Sequence, residues 1–248
     1  MKRKRTGKRG CSAFFLTCSL ILLAAAAVIA VRPLLDTRHR VVLDPGHGGA
    51  DGGASGVVQE AEMTEQTAFL LAELLQEDGR FRVWVTRDRG DGASLAERCR
   101  MAVLHRAELM LSVHGNSAED ASASGFECYP APPGREHHEE SLRFAELLAE
   151  RMKEAGAGLR GTEGIRYAYY LSDGTKQLVD GSDDRIREEE SFAVVEHAGC
   201  PSVLAEQCFV TNPEDVRQFG SEEGCARTAK QYYLAILDFF GETENPES

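Results

Sequence analysis

The sequence predicts one α/β domain with a mostly parallel, twisted sheet and helices on both faces, preceded by an N-terminal membrane-spanning helix or signal peptide. Three observations lead to this prediction. Short strand-like runs alternate with amphipathic helical patterns across residues 41–241. That stretch of roughly 200 residues is long enough for one core and contains no internal repeat. An uncharged, apolar run at residues 12–31 precedes it.

The N-terminal segment has the composition of a membrane anchor. Residues 1–11 carry six Lys or Arg side chains, and residues 12–31 carry no charge. Twenty apolar residues span a hydrocarbon core as a helix, and the basic flank favours a cytoplasmic N-terminus. We therefore expect a single-pass protein of the cell membrane with an extracytoplasmic domain, joined by a linker at 32–40. The small residues at 24–27 offer the alternative of cleavage and secretion.

The first part of the domain alternates between strand and helix patterns. Residues 41–43 are a short β-branched and apolar run, and residues 60–78 repeat apolar side chains at helical spacing. Residues 81–86 alternate as a half-buried strand does. A serine followed three residues later by a glutamate forms a capping box at the start of a helix over 94–107. Residues 109–113 read as a short buried strand.

The second part continues the pattern. Residues 125–129 predict a strand that a proline-rich loop ends, and residues 139–155 predict an amphipathic helix. Two apolar runs, 191–195 and 202–205, predict further strands. The last helix is expected over residues 222–240, followed by a polar tail at 242–248.

Residues 156–192 fit neither pattern well. They are rich in glycine and charge, which predicts a surface excursion, and within them 167–171 is either a strand or a substrate-contacting edge.

After the strand predicted at 202–205, Asn212 followed by proline marks a helix start, because the asparagine side chain can cap the helix and proline suits the first helical position.

Charge and cysteine content exclude some classes of function. Residues 1–40 hold nine Lys or Arg and one acid, which leaves 19 basic and 39 acidic residues, a net charge of −20, in the rest. Nucleic acid is excluded as a partner because phosphate contacts need a basic face. Five cysteines without a CxxC pair predict buried free thiols, although one disulfide is possible in an exported protein; they are Cys99, Cys128, Cys200, Cys208 and Cys225.

Candidate functional side chains directly follow the predicted strands. His47 lies in a glycine-rich loop after the first strand, and His114 and Glu206 follow two later ones. Ligands of open α/β sheets bind beyond the carboxyl ends of strands, where distant residues converge. Glu60 opens the helix after the glycine loop, so a compact loop would return it to His47. Two histidines and a carboxylate form a zinc set with an open position, and Glu206 is then free for proton transfer.

Four motifs, in order, carry a resemblance to a known family. They are Asp44-Pro-Gly-His47-Gly-Gly-Ala-Asp51, the segment beginning Glu60-Ala-Glu-Met-Thr, Ser112-Val-His114-Gly-Asn116, and Pro201-Ser-Val-Leu-Ala-Glu206 with the residues to Asn212. The chain resembles the zinc-dependent N-acetylmuramoyl-L-alanine amidases of type 3, which hydrolyse bacterial cell walls, from about residue 41 to 239.

The resemblance implies a ligand set and a reaction. It implies that Zn²⁺ is held by His47, Glu60 and His114 and that Glu206 is the catalytic residue. The implied reaction is hydrolysis of the amide bond between N-acetylmuramic acid and L-alanine in peptidoglycan, which releases the stem peptide. The glycines around His47 are then expected to make room for the metal and the glycan. The resemblance does not identify an activating protein partner.

The chain departs from the family pattern at three places. Glu62 competes with Glu60 for the ligand role, although Glu60 keeps the leucines of the following helix in register with the family. Cys208 stands where glycine is common and would crowd a turn. Residues 157–192 are unlike the family's usual short link. No extra helix of the kind that plugs the site of partner-activated members is evident.

Other histidines and acids have simpler interpretations. His137 and His138 lie among glutamates and suit a solvated helix start, and His105 suits a surface position. His197 is either structural or a partner that orients a ligand, and Asp44 is either such a partner or a turn-former. Two other functions remain open on the sequence: a zinc peptidase of related fold that cuts wall peptides, and a wall-binding protein without activity.

Overall fold

The computed structural model describes residues 36–244. The predicted basic N-terminus and apolar segment, together with residues 32–35 of the linker and the last four residues of the polar tail, lie outside these residues. Within residues 36–244 there is no helix with both the length and the apolar character needed to cross a membrane. A compact unit begins at His39, inside the predicted linker, because the first strand starts there.

The centre of this unit is a five-stranded sheet with the order β2-β1-β3-β7-β4. The first four strands run parallel, and the edge strand β4 runs antiparallel to β7, so the prediction of a mostly parallel sheet is confirmed. The strands are β1 (His39–Pro45), β2 (Phe81–Val85), β3 (Leu109–Asn116), β4 (Glu127–Pro130) and β7 (Ser202–Phe209).

Helices cover both faces of the sheet, as predicted. They are α1 (Glu60–Asp78), α2 (Leu95–His105), α3 (His138–Glu154), α4 (Ala193–Glu196), α5 (Pro213–Asp215), a π-helical turn (Val216–Gly220) and α6 (Glu222–Phe240). Successive strand residues point to opposite faces. Leu43 and Leu111 therefore pack into the core formed with α1, α3 and α6, whereas Val42 and Met110 pack into the one formed with α2 and α4.

The prediction of a strand at 191–195 is wrong, because the chain forms the short helix α4 there. A strand would point Val194 and Val195 to opposite faces, but both are buried in the same core. The turn is fixed by the carboxylate of Glu196, which accepts a hydrogen bond from the backbone N–H of Ser191 at 2.8 Å. A segment rich in apolar and β-branched residues can form either a strand or a short helix, so its composition alone does not distinguish the two.

The glycine- and charge-rich segment is a surface excursion only in part. It contains a hairpin of two strands, β5 (Arg166–Tyr170) and β6 (Lys176–Asp180), in a separate antiparallel sheet. The strand interpretation of 167–171 is therefore confirmed, whereas the sequence reasoning missed β6. Tyr167 and Tyr169 point inward and are buried, so this hairpin packs onto the domain instead of standing free in solvent.

Two further predictions concern local chemistry. All five cysteines of the described chain are buried free thiols, as expected. The Sγ atom of Cys208 lies 3.7 Å from the Sδ atom of Met63, and Gly220 stands opposite, where an added Cβ would be 3.1 Å from that Sγ atom. The cysteine is accommodated because a glycine faces it.

Candidate metal centre and active site

The loop after β1 holds His47 in a conformation that few residues adopt. His47 has φ 59°, in the left-handed region that costs a residue with a Cβ roughly 1–2 kcal/mol. Two backbone hydrogen bonds between Gly48 and Asp51 close the loop beyond it. The Nδ1 atom of His47 lies 2.9 Å from the Asp51 carboxylate, which leaves Nε2 facing the carboxyl end of the sheet. The strained backbone therefore serves to orient the imidazole.

Two buried arginines hold this loop in place through hydrogen bonds to its backbone. Arg98 donates to the carbonyl oxygens of Pro45 and His47, each at 2.6 Å, and Arg87 donates to that of Pro45 at 3.2 Å. Arg98 also pairs with the buried carboxylate of Asp44 at 2.7 Å. Asp44 therefore does not contact the histidines; it orders the loop through Arg98. Sequence reasoning missed both arginines as positioning residues, although they lie in segments that resemble the family.

Glu60 and the two histidines converge on one point. The Oε1 atom of Glu60 lies 3.0 Å from Nε2 of His47 and 3.0 Å from Nδ1 of His114. Donor atoms of the three side chains all lie within 4.8 Å of one another. Backbone N–H groups of Ala54 and Gly115 donate to the two oxygens of Glu60, which fixes the carboxylate plane.

The ionisable groups of this cluster stabilise one another's charged forms. Hydrogen bonding to Glu60 raises the pKa of His47 to about 9 against the effect of burial, and Asp51 contributes in the same direction. Burial would raise the pKa of Glu60, but hydrogen bonds from His114 and His47 outweigh it and hold that pKa well below its usual range. Without a cation, this raised pKa keeps His47 protonated near neutral pH. When a divalent cation displaces that proton, the ionised carboxylate and the two imidazoles form a suitable donor set.

Glycines of the loop make room for the site's own side chains. A Cβ on Gly46 would lie 2.4 Å from Cε1 of His114, and one on Gly53 would lie 2.6 Å from both the His47 ring and the Glu60 carboxylate. The sequence-based expectation assigned this space to the metal and the glycan. The structure shows that the imidazoles and the carboxylate themselves occupy it.

Glu206 lies beside His114 in the sheet, because the two residues are paired in the register of β3 and β7. Its Oε2 atom is buried and has no hydrogen-bond partner within the described chain. Burial raises the pKa of Glu206 to about 7; the nearby His114 and Lys176 lower it, and the carboxylates of Glu60 and Glu127 raise it. A carboxyl group with a pKa in this range can both accept and return a proton near neutral pH.

A second buried carboxylate, missed by the sequence reasoning, supports Glu206 from the edge strand. Glu127 of β4 is paired with Glu206 in the register of β4 and β7. It accepts hydrogen bonds at 2.7 Å from Asn116 and from the hydroxyl of Tyr129, and it pairs with Arg160 at 3.1 Å. These partners satisfy Glu127 and hold its carboxylate in place next to Glu206.

The four predicted site residues line one cavity of about 810 Å³. Its volume falls in the range of small-ligand sites in proteins. Part of the wall comes from the hairpin and the segment after it and includes Tyr170, Lys176 and Phe192. The sequence signalled this wall only as a possible substrate-contacting edge at 167–171.

The competing candidates lie elsewhere. Glu62 is exposed on α1, whereas Glu60 is buried between the histidines. His197 is exposed at the end of α4 and does not line the cavity. His138 bonds the carbonyl oxygen of Ala131 at 2.8 Å near the start of α3. His105 stacks on Trp84 at a ring separation of 4.2 Å.

The chain is similar to known proteins in both sequence and fold. The sequence model of the N-acetylmuramoyl-L-alanine amidase family matches residues 41–238. The uncharacterized protein YqiI of Bacillus subtilis is 32% identical over 226 residues, which cover 90% of this chain and 94% of that protein. The N-acetylmuramoyl-L-alanine amidase AmiA of Salmonella typhimurium is 27% identical over 235 residues, covering 86% of this chain and 80% of that one.

A similar fold occurs among solved structures. The chain superposes on Cwp6 from Clostridium difficile with a TM-score of 0.66 and 26% identity, over 82% of this chain. The chain spans only 29% of the length of Cwp6, so the match covers one part of that protein. The stretch that the family model matches contains all four predicted site residues.

Proposed function

This chain belongs to the N-acetylmuramoyl-L-alanine amidase family of enzymes, and from that membership we propose that it uses Zn²⁺ to hydrolyse the amide bond between N-acetylmuramic acid and L-alanine in peptidoglycan. The reaction releases the stem peptide from the glycan strand. One observation supports the proposal most strongly: His47, Glu60 and His114, which are distant in sequence, place donor atoms within 4.8 Å of one another beside the unpartnered carboxyl oxygen of Glu206.

The chemistry of the donors fits zinc. Two imidazoles and one carboxylate are the ligand types of catalytic zinc sites, which keep a further position open. Asp51 at Nδ1 of His47 and the backbone N–H groups at Glu60 are the outer partners that orient such ligands. Bound Zn²⁺ would act as a Lewis acid that lowers the pKa of a water molecule and polarises the scissile carbonyl. We propose that His47, Glu60 and His114 are its ligands.

Glu206 is then the general base and acid. Its buried Oε2 atom would accept the proton of the attacking water and transfer it to the departing nitrogen of L-alanine, so the leaving group is an amine. The nearby carboxylate of Glu127 raises the pKa of Glu206, which makes Glu206 a better acceptor of the water's proton in the first transfer. The two arginines that donate hydrogen bonds to the backbone of the His47 loop would keep the His47 side chain in the same orientation during both proton transfers.

We also propose where this reaction takes place. The uncharged run at 12–31 and its basic flank support an anchor in the cell membrane with the amidase domain outside it, or secretion after cleavage. Either location places the domain at the cell wall, which contains the proposed substrate.

A metal titration tests the proposal. The protein is freed of metal with a chelator, Zn²⁺ is added back, and bound zinc and cleavage of a purified muropeptide are followed together. We expect one ion per chain to restore cleavage, and His114→Ala to lose both zinc and activity. His105→Ala removes a histidine outside the cavity and should retain both. Full cleavage by the metal-free protein would refute the proposal.

A further inference from the structure

Part of the wall of this cavity is an aromatic and cationic cluster. Tyr170 ends β5, Lys176 begins β6, and Phe192 follows the hairpin. The Nζ atom of Lys176 lies 5.4 Å from the centre of the Phe192 ring, and the ring of Tyr170 meets Phe192 edge-on at 6.0 Å. Phe192 also meets the buried Tyr129 edge-on at 5.2 Å, so the cluster is braced against the sheet.

Lys176 brings a positive charge to this cavity, in which several lining residues are acidic, including Asp51, Glu190 and Glu206. The guanidinium of Arg98 also lines the cavity, but it forms an ion pair with Asp44. Within residues 36–244, Lys176 forms neither an ion pair nor a side-chain hydrogen bond; its ammonium lies over the Phe192 ring and is near enough to Glu206 to lower the pKa of that carboxyl. Residues 41–248 carry a net charge near −20, which repels an acidic ligand, so a cation in the cavity wall favours binding of such a ligand beside it.

We propose that Lys176, held over Phe192 and flanked by Tyr170, forms a specificity subsite that binds a free carboxylate of the stem peptide. This inference rests on the proposed function, because it takes the bound molecule to be a muropeptide. Stem peptides carry carboxylates that are either free or converted to amides. An ammonium group favours the carboxylate over the neutral amide, whereas the aromatic rings pack against apolar parts of either form.

The expected size of the effect follows from the exposure of Lys176. Ion pairs between exposed groups contribute little in water, but this ammonium lies inside a cavity that a bound ligand would shield. We therefore expect removal of the charge to weaken binding of a free-carboxylate muropeptide by about three- to tenfold. Binding of the amidated form should stay within about twofold of its original value.

The test uses binding, so that it does not depend on turnover. The full chain carrying Glu206→Gln is compared with the same chain carrying Lys176→Met in addition, by calorimetric titration. Methionine keeps a long side chain over Phe192 and removes the charge. The ligands are two purified muropeptides that differ only in one carboxylate or amide. Lys153→Met is the control, because Lys153 lies outside the cavity and pairs with Glu163.

The expected result is a loss of affinity confined to Lys176→Met and to the free-carboxylate ligand. Unchanged affinity, an equal loss for both ligands, or no binding of either muropeptide would overturn the subsite. Cleavage by the unmodified chain is measured separately. If the carboxylate preference depends on Lys176 but no amide bond is cut, the proposed reaction fails and the subsite stands; normal cleavage without that dependence refutes the subsite alone.

Discussion

The space beside Gly46 gives a sharp test of how the proposed metal ligands are held. In Gly46→Ala, the added methyl group would lie 2.4 Å from Cε1 and 2.6 Å from Nδ1 of His114. Carbon atoms in contact are normally about 3.5–4.0 Å apart. Either the imidazole or the loop must therefore move by roughly 1 Å to relieve the overlap.

A displacement of that size is large compared with the tolerance of a metal site. Bond lengths to zinc vary by about 0.2 Å in well-formed sites, and a 1 Å misplacement near the reacting atoms costs on the order of a hundredfold in rate. We expect Gly46→Ala to weaken zinc binding by at least about tenfold and to lower kcat/KM by about a hundredfold. Overpacking costs about 1–3 kcal/mol, so the variant should remain folded.

The assay measures zinc affinity by competition with a chromogenic chelator, together with muropeptide cleavage and far-UV circular dichroism. Gly158→Ala is the matched control, because it adds the same methyl group where no atom lies within 4 Å. It should behave like the unmodified chain. A folded Gly46→Ala protein that binds zinc and cleaves substrate normally would refute the placement of His114 beside this glycine.

Three other substitutions and conditions test the account. Glu206→Gln should lower kcat by at least about a hundredfold and leave bound zinc, measured by mass spectrometry of the metal, unchanged; loss of the metal would contradict the role given to Glu206. Arg98→Met leaves the buried Asp44 without its cation and should cost about 3–5 kcal/mol in urea unfolding, whereas the exposed Arg100→Met should cost little. In metal-free protein, Glu206 has its pKa raised from 4.5 to about 7. The unfolded chain releases that proton first, so stability falls as pH rises between these values. Glu206→Gln should therefore be more stable than the unmodified chain above pH ~7 but not near pH ~4, and an advantage independent of pH would contradict the assignment.

The regular elements were predictable because their signals are local. The helices Glu60–Asp78 and Glu222–Phe240 have the predicted bounds. The strands' order could not be read from the sequence, since pairing is set by contacts between distant residues. The strand predicted at 191–195 failed for a related reason: a carboxylate, Glu196, fixes the turn through a backbone N–H group.

The candidate ligands were predictable from strand ends together with the motifs, but their surroundings were not. Nothing local in the sequence indicates that Arg98 reaches the carbonyl of His47, 51 residues earlier. The pairing of Glu127 with Glu206 depends on the antiparallel register of the edge strand. The part of the cavity wall that contains Lys176 could not be predicted from the sequence, because the weak hydrophobic periodicity of this segment did not indicate the strand that begins at Lys176.

The proposed reaction cuts the bond between sugar and peptide, and mass spectrometry of a purified disaccharide-peptide incubated with the zinc-loaded protein identifies the bond that is cut. We expect two products, the disaccharide with a free lactyl carboxylate and the intact stem peptide with a free L-alanine amine. Shortened peptides still attached to the disaccharide, or an uncut substrate, would contradict it.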